Sequence, residues 1–530
     1  MWKHFVIIQN LSSLFPVGDN EKTTFRIFKG FQILSKLLSL ASTQRSLSSL
    51  SSTSLLGIRS ESTNNQISPL PDRTLSNICK TIVTALTMKT SDNMENVNYV
   101  IHVSNRCLTP VIERLNHILR FEEMSMRLGS VQVSNSNMAN STFSASDDIL
   151  SELMGVICTV LDKIRCSNSS TSDNTENNVV TENGQNSNID AALDFISLII
   201  SVGTVDLIGE KLKRIRSSID DAPDTCSFLI NTASTISVIC YLLKKFDGIS
   251  SCNLVKQHFT QACEQNDFAA IIPVVYTVLV LSGSQLEPRP TIFDGSQFGD
   301  EEREMSLLKK DSMNFLPLNL AKVTYVSLQS ANACFGLSMN LERFAEPQMS
   351  IHLFRHIFNY LLWHLIRTDE TNNILKYNDD GVSKSFNNSF KNSKTSKNKQ
   401  NLQNLKSNTS QRFNELETDI LLELMQLIGH FCIGSRERQD FLASGVQPTV
   451  LAQLCALPFS FFNEPKKRNV LLPTLFVICF ENEENMRYLE NLDMSRALLK
   501  EVIDNDEMKN SPIFASEDKN FWENVKLDGM

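Results

Sequence analysis

The sequence lacks the motifs by which most enzymes and metal-binding modules are recognised. It contains no P-loop, no dinucleotide-binding glycine fingerprint and no nucleophile elbow. Its 12 cysteines are scattered, none forms a C-x-x-C pair, and none has histidine neighbours at zinc-site spacing. Two histidines four residues apart lack the glutamate of a zinc hydrolase motif. We therefore predict a non-enzymatic protein with no cofactor and no metal site.

A membrane-spanning run and a strong charge bias are also missing. The longest apolar stretch runs from Phe268 to Leu281, is shorter than the about 20 residues that a transmembrane helix needs, and contains Pro273. We interpret it as a buried core helix and predict no integral membrane span in this chain. The net charge of −9 in 530 residues argues against a dedicated nucleic-acid-binding protein, because a basic footprint would dominate such a composition.

The cysteines that lie in apolar helical stretches indicate the compartment. Small buried hydrophobes are the ordinary role of such residues, and scattered unpaired cysteines suit a reducing cytosol better than the secretory route. The residues concerned are Cys158, Cys240, Cys432, Cys455 and Cys479. We therefore expect a cytoplasmic protein.

Polar tracts rich in Ser and Asn interrupt the chain. They run from Ser39 to Pro71, Ser130 to Ala145, Cys166 to Asn188 and Asn372 to Gln411. Segments of this composition bury too little apolar surface to offset their ordering entropy, so we predict that they are disordered. The last tract is basic, which leaves weak or indirect RNA contact open beside the simpler interpretation of a solvated loop. The basic stretch from Lys22 to Ser60 is typical either of a first helix followed by a loop or of a mitochondrial transit peptide.

Between the tracts the apolar pattern is helical, and near the C-terminus it repeats at an offset of 47 residues. Ile428 aligns with Leu475, Cys432 with Cys479, and Leu442 with Leu489, which is the period of armadillo or HEAT-type repeats. Ser435 and Asn482 align as N-caps, Gly434 can end the helix before the first cap, and Pro448 fits the first turn of the next helix, which Pro458 ends.

We therefore predict an all-α, armadillo/HEAT-like helical-repeat superhelix with disordered Ser/Asn-rich inserts, in which stacked repeats present a long surface to protein partners. The predicted organisation is a basic amphipathic segment with a Ser-rich tract (1–71), a helical-repeat region with inserts near 130–145 and 166–188 (72–371), an Asn/Ser/Lys-rich insert (372–411), C-terminal repeats (412–505) and a tail (506–530).

One helical stripe carries the candidate partner-binding residues. At 100° per residue the polar side chains of 349–367 gather on one face, and the start of the first repeat's second helix adds two arginines. The candidates are His352, Arg355, His356, Asn359, Arg367, Arg436 and Arg438. A basic ridge for a partner and an ordinary solvated stripe are both compatible with this pattern.

Short Arg-x-Leu triplets form the second candidate site. They occur at Arg45, Arg73, Arg106, Arg487 and Arg496, and this triplet can dock cyclins. Since Leu489 and Leu498 should be buried in repeat helices, we take Arg73 with Leu75, next to a polar tract, as the candidate for cyclin docking.

The C-terminal half resembles a known family. The segments RQDFLASGVQPTVLAQLCALPFSFF (438–462) and VLLPTLFVICFENEEN (470–485) are similar to the C-terminal region of the S-phase cyclin A-associated proteins of the endoplasmic reticulum. Earlier stretches at 192–208, 271–288 and 353–364 agree with the same family in the expected order. Full-length members also carry a coiled coil and a C2H2 zinc finger that this sequence does not show, so we expect it to correspond to their C-terminal half.

The resemblance implies a cytosolic adaptor that associates with the endoplasmic reticulum, and a nuclear location stays open. Its implied partners are cyclin A, ribosome-associated factors and a deadenylase complex, which together connect the family to decay of tubulin messages. We therefore expect a scaffold that bridges ribosome-associated factors and the mRNA decay machinery. The alternative is a cell-cycle regulator that binds cyclin A through an Arg-x-Leu motif.

Overall fold

The structure is a computed structural model, and it describes residues 72–86, 105–132, 144–169, 182–214, 223–267, 318–362, 397–445, 448–491, 496–514 and 522. Within these ranges the secondary structure is helical and contains no strand, so the all-α prediction is confirmed for the described residues. The helices fall into two compact units. The first unit holds the described helices up to residue 267 and the segment 339–345, and the second holds the remaining described helices from 318 onward.

The described residues of the first unit form seven α-helices. They are α1 (Asp72–Leu86), α2 (Asn105–Gln132), α3 (Ser144–Ser169), α4 (Glu182–Ser201), α5 (Thr204–Arg214), α6 (Pro223–Lys245) and α7 (Ser250–Gln265), and a 3₁₀ turn at Leu341–Arg343 joins them. Helices α4 and α5 are separate, because Val202 and Gly203 form a turn between them in which Gly203 has a φ of 74°.

Helix α3 is the centre of the first unit and packs against α1, α2 and α6. Its buried positions recur every three or four residues, as in Leu150, Leu153, Ile157 and Leu161, so one apolar stripe turns inward. Asn231 of α6 donates a hydrogen bond from Nδ2 to the Ser151 carbonyl at 3.0 Å, which ties the two helices together. Burial of each such leucine contributes about 1.5–3 kcal/mol, so this stripe holds the unit together.

The part of the second unit that the structure describes contains ten helices. They are α8 (Leu318–Phe335), α9 (347–362), α10 (Lys397–Cys432), α11 (Arg436–Ala443), α12 (Val450–Cys455), α13 (Ser460–Asn463), α14 (Pro465–Cys479), α15 (Glu483–Asn491), α16 (Arg496–Asp504) and α17 (Asp506–Lys509), and a 3₁₀ turn follows at Pro512–Phe514. Helix α10 packs against both α8 and α14. The second unit therefore includes helices on both sides of the predicted 372–411 insert.

A polar cluster lies between α8 and α10. Asn332 donates from Nδ2 to the Glu423 carboxylate at 2.7 Å and to the Glu423 carbonyl at 2.9 Å, and Gln329 donates to the other carboxylate oxygen at 3.2 Å. Desolvation nevertheless dominates, and it raises the pKa of the Glu423 carboxyl above its ordinary value. The cluster fixes the register of α8 on α10, because both amides find their acceptors at one residue.

The two segments aligned at 47 residues fold alike. Each has a buried helix that ends at a cysteine, Cys432 or Cys479, then a left-handed residue, then a cap and a short helix. Gly434 has a φ of 65° and Glu481, at the aligned position, a φ of 53°. Ser435 accepts a hydrogen bond from the Arg438 amide and Asn482 one from the Asn485 amide, so both predicted caps are confirmed.

The structure corrects details of the helix boundaries. Pro448 lies before the N-cap Thr449 and not in the first turn of α12, because the Thr449 hydroxyl accepts from the Ala452 amide and thereby begins the helix. Helix also extends into parts of the polar tracts predicted to be disordered, at 130–132, 144–145, 166–169, 182–188 and 397–411. The apolar run 268–281, the basic segment 1–71 and the remainder of the tracts lie outside the described residues.

Candidate partner-binding surface

Helix α9 carries four of the predicted partner-binding residues, and the structure divides them into two groups. His352 and His356 are exposed, whereas Arg355 and Asn359 are half-buried. The opposite face of α9 is in the core, where Phe354 and Phe358 pack with Phe431 of α10. Arg367 lies outside the described residues.

Arg355 is held by the end of α11. Its guanidinium carbon lies 4.4 Å from the centroid of the Phe441 ring, and Nη2 donates a hydrogen bond to the Ser444 carbonyl. Gly445, with a φ of 103°, follows directly, and a Cβ at this position would collide with the Arg355 guanidinium. The side chain therefore joins α9 to α11, and only part of it faces solvent.

Two neighbouring side chains make contacts of the same kind. The His352 ring packs edge-on against Phe441 with centroids 5.5 Å apart, and Asn359 accepts a hydrogen bond at Oδ1 from Gln453 of α12 at 2.9 Å. Much of the predicted ridge is thus an internal interface between α9 and the α11–α12 segment. Of the four residues, His356 and His352 offer the most surface to a partner.

Arg436 and Arg438 lie at the start of α11 and contact the second repeat and the core, respectively. Arg436 pairs with Asp440 at 3.1 Å and donates from Nη1 to the Glu481 carbonyl at 2.7 Å. Arg438 is half-buried, with its guanidinium 5.9 Å from the Phe431 ring. Both arginines therefore link parts of the second unit, and about half of the Arg436 side chain remains exposed.

A buried amide network joins the two repeats, and the sequence did not predict it. Gln439, which is buried, donates from Nε2 to the Val477 carbonyl at 2.8 Å and to the Phe480 carbonyl at 3.2 Å. These carbonyls belong to the last turn of α14, where no helical partner is left for them. Asn482 then donates from Nδ2 to Gln439 Oε1 at 3.1 Å and to Asp440 at 2.8 Å.

Asn485 completes this network by donating from Nδ2 to the Ile478 carbonyl at 3.0 Å. Gln439 and Asn485 therefore satisfy the carbonyls at the buried end of α14, and the hydrogen bond from Asn482 to Gln439 joins the start of α15 to α11. The only sequence signal was the replacement of the first repeat's cap, Ser435, by asparagine at 482. An asparagine can cap a helix and donate two hydrogen bonds, whereas a serine donates one.

Four of the Arg-x-Leu triplets lie in described helices, and the triplet at Arg45 lies outside the described residues. Arg73 and Leu75 belong to the first turn of α1, and their side chains lie outside what the structure describes. At the C-terminal triplets, Leu489 is fully buried and Leu498 is half-buried, so the predicted burial is complete at the first and partial at the second. Arg496 pairs with Glu490.

The cysteines and the candidate metal ligands give no sign of reactive chemistry in the described part of the chain. Desolvation by burial raises the pKa of the Cys432 and Cys479 thiols far above the ordinary value, and that of the Cys158 thiol to about 11. No group of His, Cys, Asp or Glu side chains within the described ranges is arranged to hold a metal ion.

One described helix is long and apolar enough to cross a membrane. It is the Cys226–Lys245 portion of α6, and 67% of this apolar stretch is buried inside the protein. Two consecutive helical segments, Ile189–Ser201 and Thr204–Lys213, are long and apolar enough only when taken together, and they meet at an angle of 52°. Burial of this extent is typical of a core helix of a soluble unit.

Comparison with known proteins supports the resemblance seen in the sequence. No protein-family model matches the chain. The chain is 23% identical over 316 residues, 58% of its length, to the S phase cyclin A-associated protein in the endoplasmic reticulum of Homo sapiens. That alignment covers 18% of the human protein, so the chain spans less than a fifth of its relative. This chain is therefore a distant relative of the S phase cyclin A-associated protein in the endoplasmic reticulum.

Proposed function

We propose that this chain is a non-enzymatic adaptor whose helices stack as an armadillo- or HEAT-like superhelix. The observation that carries the proposal is the similarity over 316 residues to a protein named for its association with cyclin A. The common backbone of the segments 47 residues apart supports the repeat architecture, because each buried helix is followed by the same left-handed turn, cap and short helix. Stacked repeats of this kind act through extended surfaces.

The partners we propose are proteins of translation and mRNA decay. In this proposal the chain bridges ribosome-associated factors and a deadenylase complex during regulated decay of tubulin messages. It acts in the cytoplasm, with a pool at the endoplasmic reticulum as the relative's name indicates. The exposed partner-facing residues would be His352 and His356 on α9 and Arg436 at the start of α11.

Co-sedimentation with purified ribosomes tests this role. We would compare the wild-type chain with the double variant His356→Glu and Arg436→Glu over a series of salt concentrations. The matched control makes the same change of charge at two exposed lysines elsewhere, Lys322→Glu (−2) and Lys500→Gln (−1), against −1 at His356 and −2 at Arg436. We expect the wild type and the control to sediment with ribosomes and the double variant to remain in the supernatant. Equal sedimentation of both variants would show that the α9–α11 surface is not the contact.

Cyclin A binding through an Arg-x-Leu motif is the second candidate function, and the relative's name is the observation that favours it. Binding of purified cyclin A to the full chain should be lost in the Arg73→Ala, Leu75→Ala variant. The control is Arg487→Ala, because the leucine of that triplet, Leu489, is buried in its own unit. Unchanged cyclin binding by the first variant would exclude this triplet as the docking motif.

A further inference from the structure

The solvent-exposed side of helix α7 contains no Asp, Glu, Lys or Arg. Half of the 16 residues of α7 are exposed, and at 100° per residue they fall on one side of the helix. They are Ser250, Ser251, Asn253, Leu254, Gln257, His258, Gln261 and Gln265. We call these eight residues the α7 face, and Leu254, Gln257 and Gln261 lie near its middle.

The two charged residues of α7 are engaged within the first unit. Lys256 is half-buried and pairs with Asp247 at 3.0 Å. Glu264 is buried and accepts a hydrogen bond from the Asn340 amide at 2.8 Å. In the neighbouring helix α5, by contrast, five of 11 residues are charged. The lack of charge on the α7 face is therefore a local property of this helix.

A face of this composition is typical of an interface. The centre of a protein interface is depleted of charged residues, whereas a surface that stays in solvent is rich in them. Leu254 is 58% exposed, and Ile249, at the N-cap position of α7, is 36% exposed, so apolar surface lies among the polar groups. The polar side chains of the α7 face make no hydrogen bond to the described part of the chain. Their donors and acceptors are thus available to a partner.

The chemistry of the α7 face fits a second copy of this chain. Asn and Gln side chains carry both donors and acceptors, and so does the Ser hydroxyl, so a face built from them can form hydrogen bonds with an identical face. Symmetric pairing brings the same patch to both sides of the contact, where like charges would repel, and the α7 face has none of the four charged residue types. A partner with a charged surface would lose the hydration of its charges here without gaining a counter-charge.

We propose that two copies of this chain associate through their α7 faces, with the two helices antiparallel about a two-fold axis. The 16 residues of α7 span about 24 Å. A face of this length and about 10 Å wide is smaller than the about 800 Å² per partner of a standard stable interface, so the dimer is weak and reversible. Pairing would give the adaptor two sets of its partner surfaces, which strengthens binding to targets that present two sites. This contact goes beyond the proposed function and uses none of its residues.

Sedimentation velocity of the full chain tests the proposal. We expect the average sedimentation coefficient to rise from that of one chain towards that of two between about 1 µM and about 200 µM. Gln257→Glu with Gln261→Glu should raise the dissociation constant of the dimer about tenfold or more, because like charges then meet across the axis. The control, Asn463→Asp with Asn510→Asp, adds the same two charges at exposed residues of the second unit and should dimerise as the wild type does.

A mixing experiment separates a lost contact from a damaged helix. Gln257→Lys with Gln261→Lys should also dimerise poorly alone, whereas an equimolar mixture with the glutamate variant should associate at least as well as the wild type and weaken as salt is added. Damage to either variant would not be repaired by mixing, and circular dichroism would establish that each keeps its helical content.

Three results would overturn the proposal. They are a wild type that stays monomeric at the highest concentration, an equal effect of the control and the glutamate variant, and a mixture that fails to associate. A monomeric wild type would leave the α7 face to a different protein or to solvent. The ribosome and cyclin experiments, which depend on other residues, would be unaffected by any of these results.

Discussion

Replacing Asn482 with alanine tests whether buried amides hold the two C-terminal repeats together. The Asn482 side chain is 2% exposed and makes three hydrogen bonds: it accepts from the Asn485 amide at 3.0 Å and donates to Gln439 and Asp440. Asn482→Ala removes all three. Water cannot reach Oε1 of Gln439, because Gln439 is also buried, whereas the Asp440 carboxylate is 46% exposed and keeps its pair with Arg436. The variant should therefore lose more stability than an ordinary N-cap substitution causes.

The magnitude follows from the separate contributions. Loss of an N-cap costs about 1 kcal/mol. Leaving the buried Oε1 of Gln439 without its donor costs a further roughly 1–3 kcal/mol. We expect Asn482→Ala to lower the free energy of unfolding by about 2–4 kcal/mol in total. Ser435→Ala is the matched control at the aligned position, since Ser435 is half-buried and its cap bond is 3.4 Å long, and it should cost about 0.5–1 kcal/mol.

Urea unfolding of the full chain and hydrogen exchange measured by mass spectrometry supply the readouts. The Asn482→Ala variant should unfold at lower urea and should show faster exchange in both α11 and α15. Asn482→Ser keeps a cap but loses the amide donors, so it should fall between the wild type and the alanine variant. If Asn482→Ala and Ser435→Ala destabilise the protein equally, the amide network adds nothing beyond a cap, and the reasoning is refuted.

Three further predictions concern other parts of the molecule. Gly445→Ala should destabilise the second unit by about 2 kcal/mol, through its positive φ and its collision with Arg355, and the urea midpoint should fall; an unchanged midpoint would contradict this. Because desolvation raises the folded-state pKa of Glu423, the protonated carboxyl contributes stability at acid pH, and this contribution is lost as pH rises from 4.5, the ordinary carboxyl value, through the folded-state pKa. Glu423→Gln should therefore gain on the wild type in urea midpoint as pH rises above 4.5, and parallel pH profiles would argue against it. Cys166, which is exposed, should be alkylated in the native protein, whereas Cys432 should react only after unfolding, as peptide mass mapping would show; early modification of Cys432 would mean that the core opens readily.

The partner-binding prediction shows how an exposed stripe and an interface look alike in sequence. His352, Arg355 and Asn359 fall on one polar face of α9, and this pattern is the same for a solvent-exposed stripe and for an internal interface. The structure places Phe441, Ser444 and Gln453 against that face, so a large part of it is used within the chain. Polar residues at a packed interface need partners that lie almost a hundred positions away, and no local pattern identifies them.

Local regularities of the sequence by themselves determined the all-α fold class, the helical pattern between the polar tracts and the turn geometry of the C-terminal pair. These signals act within one or two helical turns, so they do not depend on which helices later pack together. They are the apolar periodicity, the cap pair Ser435 and Asn482, and Gly434. Only the tertiary structure decided that Gln439 donates to a carbonyl at the end of α14 and that Arg355 donates to the Ser444 carbonyl beside Gly445. The physical reason is that such contacts depend on which helices meet and at what distance, and that is settled by the burial of the whole apolar surface rather than by any single segment.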